Sequence, residues 1–214
     1  MGEAVRRGGI VIVVTGIIRS GTTPLSMMLH NLGVSMGGYM RFPTQNPLSH
    51  MEWEDAQIAD PLMLHMLDEE KALDVEACLE GYIRLRRQQA DGEPWGVKTP
   101  YLLPFVGELR QACDRLSEKL TLIVTSRDVD AAAESIHRQL SHIPVRKQGA
   151  SVRQVFCLQK MLRKAWRRGS EGAEIFDHKD THEQPREVAR RLALLAGVEP
   201  YIAAAMRGIH EGER

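Results

Sequence analysis

The sequence predicts one α/β domain of three layers (α/β/α), in which a mainly parallel central sheet lies between two layers of helices. Two runs of β-branched and other apolar residues, at 10–15 and within 119–128, have the pattern of strands buried on both faces. A segment with helical spacing of apolar residues follows each run. Strands that alternate with helices are typical of covered parallel sheets, and 214 residues suffice for one sizeable core.

The first strand, "IVIVVT" at 10–15, leads through a glycine turn into a helix. Pro24 suits a first helical turn, where its missing N–H would have no helical partner, and Gly33 suits a helix end. One apolar stripe lies between them, formed by Leu25, Met28, Leu29 and Leu32. The order strand, glycine turn, helix is that of loops that bind phosphate.

The remaining chain continues the alternation after an irregular stretch. Residues 36–50 are rich in Gly, Pro and Asn and lack periodicity, so we expect a long loop, which in compact domains is often functional. The patterns then predict helices at about 53–68 and 74–90, a short strand at 95–99, a helix from 100, a buried strand at 119–128, helices at 129–140 and about 151–168, a short strand at 173–177 and a final helix at 185–197.

The charge balance argues against two classes of partner. Lys plus Arg equal Asp plus Glu at 28 each, so no overall field attracts nucleic acid or an anionic membrane. No apolar run approaches the about 18 residues that a membrane helix needs. We therefore expect neither a nucleic-acid nor a membrane partner, and any anion site must be local.

The cysteines indicate the redox compartment. Cys78, Cys113 and Cys157 are odd in number and widely spaced, without a C-x-x-C pair, so neither a disulfide framework nor a zinc cluster is predicted. We interpret them as core thiols in a reducing environment, which predicts a cytoplasmic protein.

The glycine turn "GIIRSGTT" at 16–23 carries the first chemical signal. It fits the NTPase pattern G-x-x-x-x-G-K-[ST] except that Thr22 stands in place of the lysine. The backbone N–H groups from Ser20 to Thr23, aimed by the dipole of the following helix, predict a nest for a phosphate. Arg19, within the turn, can supply the missing cation.

A second signal follows the strand at 119–128. Arg127 comes where that strand leaves the sheet at its carboxyl end, which is where open α/β sheets bind ligands. Ser135 is eight residues further on, in the next helix. Two helical turns bring its hydroxyl back beneath the loop, so we expect Arg127 and Ser135 to share one anion.

The two signals together resemble the sulfotransferase superfamily, in which an R-S-G-T-T turn follows the first strand and R-x-x-x-x-x-x-x-S follows a later one. Most of the chain takes part in the resemblance. "NPLSHMEWED", "PWGVKTP" and "FDHKDTHEQPREVARRLALLAGV" are similar to segments of bacterial sulfotransferase-like proteins. The resemblance implies a single domain over residues 1–214 with the fold of P-loop-containing nucleoside triphosphate hydrolases.

The resemblance also implies the donor, 3'-phosphoadenosine-5'-phosphosulfate. In that family the first turn holds the 5'-phosphosulfate, and the later Arg and Ser hold the 3'-phosphate. These roles pass to Arg127 and Ser135 for the 3'-phosphate, and for the 5'-phosphosulfate to Arg19, Ser20, Gly21, Thr22 and Thr23. The family's C-terminal R-K-G element is missing, and Arg146 with Lys147 is a weaker match elsewhere in the chain.

The resemblance further implies metal-independent, in-line sulfuryl transfer. As in phosphoryl transfer, positioning and stabilisation of charge on the leaving oxygen dominate such a step. Arg19 and Lys98 are the candidate cations, since Lys98 falls at the Lys of the family's K-T-H motif. Pro100 replaces the catalytic His of that motif, so another group must accept the proton of the acceptor.

Glu52 is our candidate for that base, because it occupies the Glu position of the similar bacterial stretch. A carboxylate there would need a matched pKa, and Glu54 and His50 are alternatives. His178 and His182 have the spacing of a metal pair, but the residues between and after them favour a loop, and we expect no metal.

Two other functions remain open from the sequence. A P-loop nucleotide or small-molecule kinase is opposed by the missing Lys after Gly21 and by the lack of an aspartate at a strand end to hold Mg²⁺. A nucleotide-binding protein without activity is also possible. The expected acceptor is a hydroxyl or amine of a small molecule or glycan, and the sequence identifies neither it nor the oligomeric state.

Overall fold

The computed structural model describes residues 9–37, 55–67, 73–141, 145–199 and 205, with the backbone alone at 56, 139–141 and 145–152. Most of the predicted loop at 36–50 and the predicted start of the next helix at 53 lie outside these ranges.

The described chain alternates strands with helices. The strands are β1 (Ile10–Gly16), β2 (Trp95–Lys98), β3 (Lys119–Ser126) and β4 (Glu174–Asp177). The helices are α1 (Thr22–Asn31), α2 (Ala56–Leu67), α3 (Val75–Ala90), α4 (Val106–Arg115), α5 (Val129–Ser141), α6 (Val145–Gly169), α7 (His178–Glu183) and α8 (Pro185–Ala196), with a 3-10 helix at Pro100–Phe105.

The described strands form one parallel sheet in the order β2-β1-β3-β4. Val14 is in register with Lys98 on one side and with Ile123 on the other. The β1 side chains are almost all buried, as the continuous apolar run predicts for a strand covered on both faces. The prediction of an α/β fold with a mainly parallel central sheet is confirmed.

Helices cover both faces of the sheet and divide the core in two. On one face Val11, Val13 and Val124 pack with apolar residues of α2, α3, α4 and α6. On the other face Ile12, Val14 and Ile123 pack with those of α1 and α8. Alternate residues of β1 thus pack against opposite helical layers, because successive side chains of a strand point to opposite faces of the sheet.

The sheet topology brings four strand ends together. Because all pairs are parallel, β1, β2, β3 and β4 end at the same edge of the sheet, at Gly16, Lys98, Ser126 and Asp177. The chain passes from β1 to β2 on one side and then to β3 on the other. Such a reversal leaves a crevice beyond the carboxyl ends of the strands, which is where α/β sheets bind ligands.

The structure corrects three details of the sequence predictions. His178 and His182 lie in a short helix, α7, and not in a loop. The carboxylate of Asp177 accepts a hydrogen bond from the Lys179 N–H at 2.8 Å and so caps α7, whose six residues are too few for a periodic pattern. Asp177 also ends β4, so an aspartate does stand at a strand end.

The third correction concerns the cysteines. Cys113 is buried, and burial, with the nearby Glu118 and Asp114, raises its pKa to about 12. Cys78 is only half-buried and Cys157 is exposed on α6, so the prediction of core thiols is wrong for Cys157. Among the helices in the described ranges, none combines the length and apolar character needed to cross a membrane.

Candidate functional site

The turn after β1 packs tightly against the end of β3. A Cβ at Gly16 would lie 2.6 Å from Ser20 Oγ and would also meet Thr125 Oγ1, so only glycine fits there. The buried Ser20 hydroxyl donates to the Ile17 carbonyl at 2.6 Å and is 2.5 Å from Thr125 Oγ1. These contacts hold the turn against β3. The Ser20 hydroxyl is therefore engaged in hydrogen bonds that stabilise the turn.

The backbone of the turn contains two residues in the left-handed conformation. Arg19 and Gly21 have φ values of 67° and 92°. That conformation is unfavourable for arginine. Gly21 begins α1, and no side chain in the described ranges caps this helix end. The first N–H groups of α1, at Thr22 and Thr23, are thus without a side-chain acceptor in the described chain.

Gly21 also lies against α7. A Cβ at this position would be 2.7 Å from His178 Cδ2, so glycine is required by this contact as well as by its φ. The turn, α1 and α7 consequently meet at one point of the sheet edge.

The structure brings Arg19, Arg127 and Ser135 together. Arg19 Nε donates to Ser135 Oγ at 3.1 Å, and Arg127 Nη1 donates to the Arg19 carbonyl at 2.9 Å. Arg127 and Ser135 are thus both hydrogen-bonded to Arg19, and their sharing of one anion stays a prediction. The three residues come from the turn, the end of β3 and the second turn of α5.

Positive charge accumulates at this junction. Burial, together with the charges of Arg19 and Arg138, lowers the pKa of Arg127, and Asp128 only partly opposes this effect. Among the described residues, no carboxylate lies within ion-pair distance of Arg19 or Arg127. A bound anion would relieve the repulsion between the guanidinium groups. The arrangement is therefore suited to bind a phosphate or a sulfate ester.

His178 is a site residue that the sequence analysis did not assign to this junction. Burial lowers its pKa to about 4, with further lowering by Arg127, His182 and Arg19 against a raising effect of Asp177. Its Nε2 is 3.3 Å from Nε2 of His182. Its place directly after β4, at the carboxyl edge of the sheet, is the signal that could have identified it.

Within the described ranges, the His178–His182 pair does not belong to a larger cluster of possible metal ligands. No group of three or more His, Cys, Asp or Glu side chains suited to a metal ion occurs in the ranges that the structure describes. The positive charges of Arg127 and Arg19 beside His178 also disfavour a cation.

The structure gives positions for only some of the predicted catalytic residues. Lys98 ends β2 beside β1 and is buried, and the Thr99 N–H that follows it donates to the Val14 carbonyl at 3.2 Å. Lys98 therefore lies at the same sheet edge as the turn. Glu52 and its alternatives Glu54 and His50 lie outside the described residues.

The weaker 3'-phosphate candidates are placed only in part. Arg146 and Lys147 fall in the first turn of α6, and their side chains lie outside the described part of the structure.

Three sulfotransferases are among the solved structures that resemble this chain. The sulfotransferase domain of the olefin synthase from Synechococcus PCC 7002 is 16% identical, with a TM-score of 0.54 over 97% of this chain and 81% of that one. The sulfotransferase STF1 from Mycobacterium tuberculosis H37Rv is 15% identical, with a TM-score of 0.52 over 95% and 71%. The sulfotransferase domain from the curacin biosynthetic pathway is 14% identical, with a TM-score of 0.50 over 94% and 78%.

No profile of a known protein family and no curated protein sequence matches the chain. The parallel sheet and the glycine turn between β1 and α1 define an α/β protein with a P-loop-like fold. Within that class the fold is sulfotransferase-like, as the sequence motifs predicted.

The lowered pKa of His178 predicts a pH-dependent stability. Because the folded protein binds this proton only near pH 4 and the unfolded chain near 6.5, His178 contributes stability above about pH 6.5 that is lost as the pH falls toward 4. We expect His178→Gln to remove about 1 kcal/mol of this pH dependence, after allowance for solvent screening of the half-buried ring.

Urea unfolding at pH 7 and pH 4.5 measures this contribution. His137→Gln, which changes an exposed histidine of α5, is the matched control and should leave the pH dependence unchanged. An identical pH dependence of the free energy of unfolding in the wild-type protein and in His178→Gln would contradict a lowered pKa of His178.

Proposed function

We propose that the chain is a sulfotransferase that uses 3'-phosphoadenosine-5'-phosphosulfate as its donor. The observation that carries this proposal is the junction of Arg19, Arg127 and Ser135 at the glycine turn of a sulfotransferase-like fold. A donor with an anionic group at each of two ribose positions requires two adjacent anion sites. We take the turn as the first of these and Arg127 with Ser135 of α5 as the second.

The turn is the proposed site of the 5'-phosphosulfate. Its N–H groups at Gly21, Thr22 and Thr23, which no side chain in the described ranges caps, lie at the positive end of the α1 dipole. The Ser20 N–H donates to the Ile17 carbonyl at 3.2 Å and would have to give up that bond to reach the donor. A helix start of this kind binds an anion without a lysine. Arg19 adds the charge that the missing lysine would supply.

Arg127 and Ser135 are the proposed ligands of the 3'-phosphate. Ser135 Oγ accepts from Arg19 Nε, so its own proton is still available for donation to a phosphate oxygen. Arg127 uses Nη1 on the Arg19 carbonyl and retains further N–H donors. Donation from a guanidinium to a phosphate is among the stronger hydrogen bonds in proteins.

The proposed reaction is an in-line transfer. An acceptor oxygen or nitrogen attacks the sulfur, the bond between sulfur and the bridging phosphate oxygen breaks, and adenosine 3',5'-bisphosphate leaves. Lys98 and Arg19 would stabilise the charge that develops on that leaving oxygen. Glu52 would take the proton of the acceptor as general base. These side chains supply the charge stabilisation without a metal ion.

The proposed acceptor is a small molecule or a glycan. Two of the structural neighbours are named for an olefin synthase and for the curacin biosynthetic pathway, which favours a small molecule. Free thiols at Cys78, Cys113 and Cys157 are consistent with a reducing, cytoplasmic setting for the reaction.

The alternative of a Mg-ATP-dependent kinase has less support. Asp177 ends a strand, as a magnesium ligand would, but both of its oxygens are engaged: Oδ2 accepts from Ser126 Oγ at 2.8 Å and Oδ1 from the Lys179 N–H at 2.8 Å. Thr22 also stands where a nucleoside triphosphate would need lysine.

Calorimetry with adenosine 3',5'-bisphosphate and with Mg-ATP tests the donor. We expect the bisphosphate to bind. Arg127→Ala should lower its affinity about tenfold or more, because a charge-assisted hydrogen bond contributes about 1.5–3 kcal/mol. Arg84→Ala, which removes an exposed arginine of α3, should leave the affinity unchanged. Tight binding of Mg-ATP without binding of the bisphosphate would overturn the proposal.

Transfer to an acceptor found by screening with radiolabelled donor tests the catalytic roles. We expect Glu52→Gln and Lys98→Ala to lower kcat about a hundredfold, since general bases and charge-stabilising groups each contribute on that order. Glu93→Gln, an exposed carboxylate before β2, is the control. Unchanged kcat in both variants would refute these roles even if the bisphosphate binds.

A further inference from the structure

A buried glutamine of α6 contacts the turn after β1. Gln159 is 3% exposed, although its amide is polar. Its Oε1 accepts from the Ile18 N–H at 3.0 Å, and its Nε2 donates to the Ile18 carbonyl at the longer distance of 3.4 Å. One side-chain amide thus pairs with both polar groups of one residue of the turn, 141 positions earlier in the chain.

Ile18 needs this partner because it has left the sheet and has not reached the helix. β1 ends at Gly16 and α1 begins at Thr22. Buried or partly buried backbone groups in such a segment require a hydrogen bond from elsewhere. An amide side chain offers a donor and an acceptor side by side in one plane, as a neighbouring strand would.

The residue after Ile18 is Arg19, whose φ of 67° is unfavourable for a side chain with a Cβ. This conformation directs Arg19 Nε to Ser135 and the Arg19 carbonyl to Arg127. Fixing the Ile18 N–H and carbonyl restrains the chain immediately before this strained residue. Gln159 therefore acts on both proposed anion sites without belonging to either.

We propose that Gln159 is a positioning residue for donor binding, which holds the turn in its anion-binding form through Ile18. This inference rests on the proposed function, since the bound anion is taken to be that of the sulfuryl donor. It assigns to α6 a part in the site that neither the turn motif nor the Arg127–Ser135 pair contains.

Gln159→Glu and Gln159→Leu separate this role from simple packing. At pH 8 the carboxylate of Gln159→Glu can still accept from Ile18 N–H but has no proton for the carbonyl, and Gln159→Leu offers neither bond. We expect both substitutions to lower the affinity for adenosine 3',5'-bisphosphate about tenfold, equivalent to about 1.4 kcal/mol. Gln154→Glu, which makes the same change at an exposed position of α6, is the matched control and should bind as the wild-type protein does.

Lowering the pH gives a result that a packing defect would not. A protonated glutamic acid presents a donor and an acceptor as glutamine does, and burial raises the pKa of a carboxyl group. We compare the affinity of each variant for adenosine 3',5'-bisphosphate with that of the wild-type protein at the same pH. At pH 5.5 the affinity of Gln159→Glu should recover to within about threefold of wild type, and that of Gln159→Leu should not. Affinities within twofold of wild type at pH 8 for both variants, or equal failure to recover, would overturn the inference.

Amide hydrogen exchange keeps this test separate from that of the proposed function. In the ligand-free protein, Gln159→Leu should speed exchange at the Ile18 N–H at least tenfold. Unchanged exchange would overturn the positioning role of Gln159 whatever the ligand. If the wild-type protein does not bind the bisphosphate while exchange still responds, the donor assignment fails and the contact between Gln159 and the turn stands.

Discussion

The hydrogen bond from Arg127 to the Arg19 carbonyl is the contact on which the proposed site depends. It joins the end of β3 to the turn after β1, and Arg19 in turn reaches Ser135 on α5. Two proposed anion sites that are far apart in sequence thereby become neighbours. The contact is possible because β1 and β3 are adjacent and parallel, so their carboxyl ends coincide.

Much of this arrangement could be predicted because its causes are local in sequence. Apolar runs identify β1 and β3, since a strand covered on both faces needs apolar residues throughout. The glycine turn is recognisable because two positions in a short segment require glycine. At Gly16 and Gly21 the φ value is positive and neighbouring atoms leave no room for a Cβ. Once strands and helices alternate, a parallel sheet places Arg127 and the turn at one edge.

The parts that escaped prediction depend on contacts between distant segments. Gln159 lies in a helix whose basic, exposed residues dominate its pattern, and the role proposed for it follows only from its contact with Ile18. The sequence does not predict the helix that holds His178, because α7 is shorter than two helical turns and directly follows the strand-ending Asp177. In both cases the sequence shows the residue type but does not show which distant residue the side chain contacts. The role of Glu52 is still a prediction, as is donor binding by the turn.

A crystal structure of the protein with adenosine 3',5'-bisphosphate tests the central claim most directly. The account predicts the 5'-phosphate on the N–H groups at the start of α1 and the 3'-phosphate between Arg127 and Ser135, with the turn unchanged. A bisphosphate bound elsewhere, or one whose 3'-phosphate contacts neither Arg127 nor Ser135, would contradict it.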